Sequence, residues 1–406
     1  MQSATDLIDS RIAWWRLLAA LALSTLGGVG MWSVVVALPA VQAEFGVSRA
    51  AASFPYTLTM LGFGLGGIMM GRLSDRYGVR VPLVGATFML AFGYAVASMS
   101  SSLAMYAVAQ GLLIGMLGSS ASFGPLLADI SHWFERRRGV AVSIVASGNY
   151  LAGALWPPIV QQLIETYGWR TAHLCIGAIC LVTMLPLTYA MRRRPPRGSL
   201  PRAPGATFHR PPPLQISPVA LQTLLMIAGV ACCVAMSMPQ VHLVAYCADL
   251  GFGPAVGAQM LSLMLGLGII SRLASGFIAD RIGGLRTLLL GSVLQGLALM
   301  LYIPFDGLLS LFVVSALFGL FQGGIVPSYA IIVRENFPSS EAGARVGLVV
   351  MATLFGMALG GWMSGAVFDL TGSYRAAFIN GLLWNFVNLS IVVWLLRRPN
   401  ARLVAA

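Results

Sequence analysis

"GRLSDRYGVR", residues 71–80, closes a run of twenty-two residues (50–71) that contains no Asp, Glu, Lys or Arg. Arg72, Asp75, Arg76 and Arg80 then fall within ten positions. A close copy, "GFIADRIGGLR", stands at 276–286, so that Gly71, Asp75, Arg76 and Gly78 recur as Gly276, Asp280, Arg281 and Gly283, each 205 residues later. The same offset carries "AEFG" (43–46) onto "ADLG" (248–251) and "TYGWR" (166–170) onto "TGSYR" (371–375). Three separated matches in one register mark two related halves in parallel orientation, an organisation found among membrane carriers.

The residues around these motifs are too apolar for a water-exposed surface. Of 406 residues 58% are hydrophobic and 9% charged, with a mean hydropathy of +0.83. Twelve charge-poor runs, 17–43, 50–71, 81–100, 102–128, 139–164, 171–191, 219–245, 255–279, 287–305, 307–333, 346–368 and 376–396, are each long enough to cross about 30 Å of hydrocarbon as a helix. They lack the alternation of a barrel strand, and helices satisfy their own backbone in lipid. The expected fold is an all-α membrane protein, twelve transmembrane helices forming two six-helix pseudo-symmetric bundles. The halves are read as 1–191 and 219–406, joined by an Arg/Pro-rich linker, 192–218, in extended conformation.

The formal net charge of +12 is a topology signal, not a nucleic-acid footprint. All 25 basic residues are arginine; 21 fall in the N-terminus, the even-numbered loops and the C-terminus, three in the odd-numbered loops, and one, Arg272, inside a span. The positive-inside rule then places both termini in the cytoplasm. The first span is too long for a signal-peptide core and reads as retained. Cys175, Cys180, Cys232, Cys233 and Cys247 lie in or at the ends of apolar runs, without metal-ligand spacing, and read as packing residues. His209, in the linker, carries no ligand signal. No nucleotide-binding loop, triad or metal cluster is present, so neither an enzyme nor a cofactor is expected.

With twelve spans around it, "GRLSDRYGVR" resembles the loop 2–3 signature of the major facilitator superfamily, Gly-x-Leu-x-Asp-Arg-x-Gly-x-Arg/Lys, at every defined position. The resemblance covers essentially the whole chain and implies a secondary transporter with the major facilitator fold. It places Asp75 near the start of span 11, where a carboxylate suits the positive end of a helix. Gly71 and Gly78 are expected to permit close approach and a tight turn. Arg76 is expected to pair with Asp129, and Arg281 with Glu335, as parallel cytoplasmic gating contacts.

"AEFGVSRAAAS" (43–53) and "WFERRRGVAVSIVASGNYLAGALWPP" (133–158) are similar to segments of the bacterial oxalate/formate antiporter and monocarboxylate porter group, which implies a bacterial inner membrane. In these carriers an arginine of span 8 binds carboxylate. Arg272 in "LGLGIISRLASGFIADR" stands eight residues, about 12 Å along a helix, before Asp280. An arginine within a span costs at least about 2.5 kcal/mol on insertion scales. Its counterpart at the 205-residue offset is Gly67, so the repeat does not require it. A guanidinium matches a carboxylate bidentately; the alternative is that Arg272 snorkels to headgroups. Gly268 stands where the monocarboxylate porters carry an Asp, and the chain has no lysine to supply the second cation of these relatives.

Trp32, Ser119, His242, Gln322 and Tyr329, on spans the resemblance places around a central cavity, and Asn149 and Asn385, on spans 5 and 12, complete the candidate substrate-binding set with Arg272. The expected partners are a small organic anion, a coupled proton or counter-anion, and the bilayer, with the protein a monomer. The alternative is proton-coupled efflux of hydrophobic or neutral compounds. Against efflux of cations, the thirteen acidic residues fall in loops or near span ends.

Overall fold

The computed structural model describes residues 8–193, 214 and 216–398. Most of the expected linker, 194–213 and 215, lies outside the described residues.

Among the described residues fifteen α-helices follow the apolar runs: α1 Arg11–Gly27, α2 Val29–Phe45, α3 Arg49–Tyr77, α4 Arg80–Ser98, α5 Leu103–Val108, α6 Gly124–Ser131, α7 Arg138–Ala146 and α8 Gly148–Ala190, then α9 Pro218–Asp249, α10 Pro254–Ile282, α11 Gly284–Leu301, α12 Leu308–Gln322, α13 Ile325–Asn336, α14 Ser339–Thr371 and α15 Tyr374–Leu396. Several share one span. α1 and α2 are a single crossing broken at Gly28, and α12 and α13 one broken at Gly323–Gly324. α5 continues through a π-helix, Ala109–Gly118, and a 3-10 turn, Ser119–Ser122, into α6. α8 holds two helices that meet at Gly168, where φ is 79°. Ten stretches are long and apolar enough to cross a membrane; dividing 138–190 at Gly168 and adding α3, whose glycines and hydroxyls lower its hydropathy, gives twelve spans. This is the twelve-helix, all-α architecture expected from the sequence.

Two compact units partition the chain. The first comprises Met1–Val47 and Phe54–Gly205; the second comprises Ser48–Ser53 and Ala206–Ala406. α3 therefore begins in the second unit and runs on in the first.

The repeat is visible in the backbone. Gly46 and Gly251, 205 residues apart, both take positive φ (60° and 83°), as do Gly78 and Gly283 (86° and 83°), where an L side chain would be strained. These glycines end a span and turn the chain into the next. Gly78 thus has the turn role expected of it. At Gly71, by contrast, a Cβ would meet no described atom within 4 Å, so no close approach occurs there.

Within each unit, small residues set how near the helices lie. A Cβ on Gly62 or Gly66 of α3 would come within 2.1 Å of the carbonyl oxygens of Gly111 and Met116. In the second unit Gly319 and Gly323 press on the carbonyls of Met264 and Gly268, at 2.0 and 2.2 Å from a built Cβ. Gly356 and Gly360 do the same against Val230 and Val234 at 2.5 and 2.6 Å. Lipid offers no hydrophobic drive for helix association, so backbone-to-backbone packing at such seams supplies it.

Candidate functional site

Span 1 of the first unit breaks at Gly28, and polar side chains gather around the break. Space beside Gly27 is filled by Ser122, beside Gly28 by Ala152 and Asn149, and beside Gly30 by Ser119 and Ile114. Trp32 is buried and donates its indole N–H to the Asn149 carbonyl at 3.3 Å. Three side-chain oxygens here, Ser24 Oγ, Ser119 Oγ and Asn149 Oδ1, are buried without a hydrogen-bond partner among the described residues. The sequence-predicted residues Trp32, Ser119 and Asn149 are therefore neighbours, and Ser24 joins them. Unspent polar capacity next to a broken helix is how carriers assemble sites at membrane depth.

The second unit has a matching arrangement at the α12–α13 break. Gln240 Nε2 donates to Gln322 Oε1 at 2.7 Å, and Gln322 Nε2 remains buried without a partner among the described residues. Gly323, the next residue, packs against α10 so closely that a Cβ would lie 3.0 Å from the Arg272 backbone nitrogen. Arg272 is half-buried and level with the break. His242, fully buried, points Nε2 to the Gly361 carbonyl at 2.8 Å, which makes Nε2 the protonated nitrogen; Nδ1 has no described partner.

Tyr329 and the amide nitrogen of Asn385 form their hydrogen bonds elsewhere, while Asn385 Oδ1 has no partner among the described residues. Tyr329 donates to Asn388 Oδ1 at 3.0 Å, Asn388 Nδ2 to Ser292 Oγ at 2.7 Å, and Asn385 Nδ2 to the Ser292 carbonyl at 3.0 Å. This network ties α11, α13 and α15 together. A second one, unforeseen from sequence, centres on buried His173, whose Nδ1 donates to the Trp169 carbonyl at 2.7 Å while Nε2 accepts from Tyr106 and Gln110, each at 3.2 Å. Every nitrogen of that ring is satisfied, as a packing residue requires.

The charged positions hold the main correction. Asp129 does not pair with Arg76. Its carboxylate is taken by Arg16, Nε at 2.7 Å and a second nitrogen at 2.8 Å, with both side chains almost wholly buried. Arg16 also lies over the Trp133 ring at 4.5 Å. Arg76 is exposed beside its neighbour Tyr77, with 5.2 Å from its guanidinium carbon to the ring centroid. A bidentate partner already buried beside Asp129 outcompetes one that would have to leave water. Glu335 accepts from the Gly284 backbone N–H at 2.9 Å and so caps α11. Asp75, Asp280 and Arg281 are exposed.

At the opposite ends of the helices the repeat is broken in an informative way. In the first unit Glu44 accepts from Arg170 at 2.7 Å and from the Trp169 indole. The counterparts in the second unit are Asp249, Arg375 and Tyr374, yet Arg375 pairs with Asp306 at 3.2 Å and Asp249 takes Arg49 at 2.9 Å. Arg49 also donates to the Tyr374 hydroxyl, and Asp369 accepts the backbone N–H groups of Arg49 and Ala50, each at 2.8 Å. One carboxylate binds the guanidinium while another caps the start of α3. The repeat equivalent of Arg49 is Pro254, so symmetry does not account for this anchor.

A profile of the Major Facilitator Superfamily matches residues 20–310 and 275–405. The chain belongs to that family. It is 31% identical to Monocarboxylate transporter 13 of Bos taurus over 315 residues, 76% of this chain and 71% of the relative. It is 27% identical to the MFS transporter asaE of Aspergillus flavus, over 75% of this chain and 68% of that one. Among solved structures, a crystal structure of a point mutant of the nucleoside transporter NupG superposes with a TM-score of 0.74 at 13% identity, over 94% of this chain and 100% of the other. A bacterial homologue of the human lysosomal transporter Spinster, inward-facing and occupied, gives 0.70 at 14% identity, over 94% and 96%. Family membership makes the chain a multi-pass membrane transporter and not an enzyme; the solved structures show its fold.

Removing one member of a buried ion pair strands the other, at a cost of about 3–5 kcal/mol. Asp129→Ala should therefore lower the thermal unfolding midpoint of the purified protein sharply, and combining it with Arg16→Met should recover most of the loss. A single variant as stable as wild type would show that the pair is solvated.

Proposed function

We propose that the protein moves a small organic anion, a mono- or dicarboxylate, by alternating access, with Arg272 as the carboxylate's partner. The observation that carries this reading is a costly in-span arginine whose backbone packs against Gly323 at the α12–α13 break, the residue next in sequence to Gln322 with its unsatisfied amide. A carboxylate would offer Arg272 a bidentate acceptor and Gln322 Nε2 the acceptor it lacks. Trp32, Ser119, Asn149 and Ser24 in the first unit, and His242 in the second, are the further residues proposed to face substrate. Tyr329 and Asn385 are proposed to act through the helix packing they hold. The identity to Monocarboxylate transporter 13 supports the substrate class. Pumping of lipophilic cations would call for an acid at mid-span, and the thirteen acids of this chain sit in loops or near span ends.

The arginine asymmetry supports cytoplasmic termini. In that orientation Asp75, Arg76, Asp280 and Arg281 form a cytoplasmic latch, with Glu335 capping α11 beside it and Asp129 held by Arg16 instead, while Arg49 anchors residues 48–53 at the outer ends of the helices. Asp75→Asn should then shift the protein toward inward-open states, read as altered labelling of single cysteines on the two faces. Labelling that does not change would remove the latch.

The substrate assignment is tested by uptake of labelled mono- and dicarboxylates into proteoliposomes. Wild type should show saturable uptake, and Arg272→Gln should reduce it at least tenfold, as loss of a charge-assisted pair worth about 1.5–3 kcal/mol requires, while remaining folded. Carboxylate uptake indifferent to the substitution, or transport only of neutral compounds, would contradict it.

A further inference from the structure

At the arginine-rich end of the first unit, a cavity of about 240 Å³ opens between the start of α1 and the end of α8. Its lining is Ile12, Trp15, Arg16, Trp133, Tyr189, Ala190, Arg192 and Arg193. None of the residues proposed above to meet substrate lines it; Arg16 does, but its charge is already met by Asp129, and it adds a 3.3 Å hydrogen bond to the Ala190 carbonyl. The remaining chemistry is one-sided. Arg192 and Arg193 are exposed at the rim and carry no ion pair among the described residues. Arg192 lies over the Tyr189 ring at 4.2 Å, and Arg80 approaches the same ring at 5.9 Å. No carboxylate is among the described residues that line the cavity. The nearby Asp9 turns its Oδ2 to the backbone N–H groups of Glu135 and Arg136, at 3.4 and 3.1 Å.

A second observation points to an acceptor arriving from outside. Trp133 is fully buried, and its indole Nε1–H has no acceptor among the described residues. A buried N–H left unpaired costs free energy unless an acceptor reaches it, and Trp133 is one of the residues that line the cavity. The surroundings say what kind of molecule brings that acceptor. Trp15 is 72% exposed and Leu18, one turn along α1, 50%; on α8 Val182 and Tyr189 are 71% and 56% exposed, with Pro186 exposed between them. These side chains make an apolar strip leading from the cavity along the spans. Aromatic rings at the level of headgroups, cations beyond them and an apolar strip toward the hydrocarbon fit an amphiphile with an anionic head.

We propose that this cavity binds the headgroup of an anionic phospholipid. The phosphate takes its charge complement from Arg192 and Arg193 and a hydrogen bond from Trp133 Nε1–H. The acyl chains lie along Trp15, Leu18, Val182 and Pro186. Arg16 and Asp129 form the neutral floor that holds Trp133 in place.

The test is a lipid titration of the detergent-purified full chain, read by thermal shift. Phosphatidylglycerol is compared with phosphatidylcholine of the same acyl composition and with inorganic phosphate. Phosphatidylglycerol should raise the unfolding midpoint in a saturable way, and the other two should not. Arg192→Gln with Arg193→Gln should weaken the apparent affinity about fivefold per arginine, about thirtyfold together. Trp133→Phe, which keeps an aromatic ring and removes the N–H, should weaken it as well. Because both arginines are exposed, the double variant tests binding without disturbing the core; its lipid-free midpoint should match wild type. Equal responses to phosphatidylglycerol and phosphatidylcholine, or full affinity in the double variant, would overturn the proposal. An equal shift with inorganic phosphate would instead make the cavity a site for free anions and overturn the lipid assignment.

Discussion

A charge in hydrocarbon costs several kcal/mol unless it is paired or reaches water, and that constraint orders the whole molecule. With only 9% of residues charged, the few that are buried have identifiable partners. Arg16 and Asp129 neutralise each other inside one end of the first unit. Arg49, Asp249 and Asp369 gather at one end of the second. Arg272 differs from all of these in lying deep within a helix, about three turns from the nearer end of α10. The function proposed for it follows from the same cost that pushed the other charges to the ends.

The second ordering factor is how the spans are broken. Regular helices satisfy their backbone internally and have nothing to offer a polar solute. Interruptions at Gly28 and Gly323–Gly324 occur where side chains with unspent hydrogen bonds collect. The glycine seams make these interruptions possible, because backbones in direct contact hold a broken helix in place on both sides of the break. Packing, local irregularity and polar capacity are thus three aspects of one arrangement. The networks around His173 and around Ser292, which join side chains across helices, belong to the scaffold instead.

Much of this was legible in the sequence because it follows from local chemistry. Charge-free runs of sufficient length dictate spans, and the repeat offset brings Gly46 with Gly251 and Gly78 with Gly283, pairs that share positive φ in the structure. Pairing between distant helices was not legible. Asp129 and Arg16 are 113 residues apart, Arg49 and Asp249 200 apart, and no spacing rule connects them. Even the repeat misleads there: Glu44 and Arg170 pair within their unit, whereas their counterparts Asp249 and Arg375 take Arg49 and Asp306. Polar residues on apolar spans posed a similar difficulty. Ser119 and Asn385 look alike in sequence, and only three-dimensional neighbours show that the Asn385 amide nitrogen is bonded to the Ser292 carbonyl, tying α15 to α11, while the Ser119 hydroxyl stands by the Gly28 break with no described partner.

The most direct test of the central claim asks whether position 272 meets water and substrate. In a background with the five native cysteines replaced, Arg272→Cys would be exposed to a small, charged, membrane-impermeant thiol reagent in oriented vesicles. Labelling is expected, slowed by carboxylates that the unmodified protein transports and unaffected by neutral solutes of the same size. A cysteine there that stays unreactive, or reacts at a rate no carboxylate alters, would place Arg272 against lipid or protein and contradict its role.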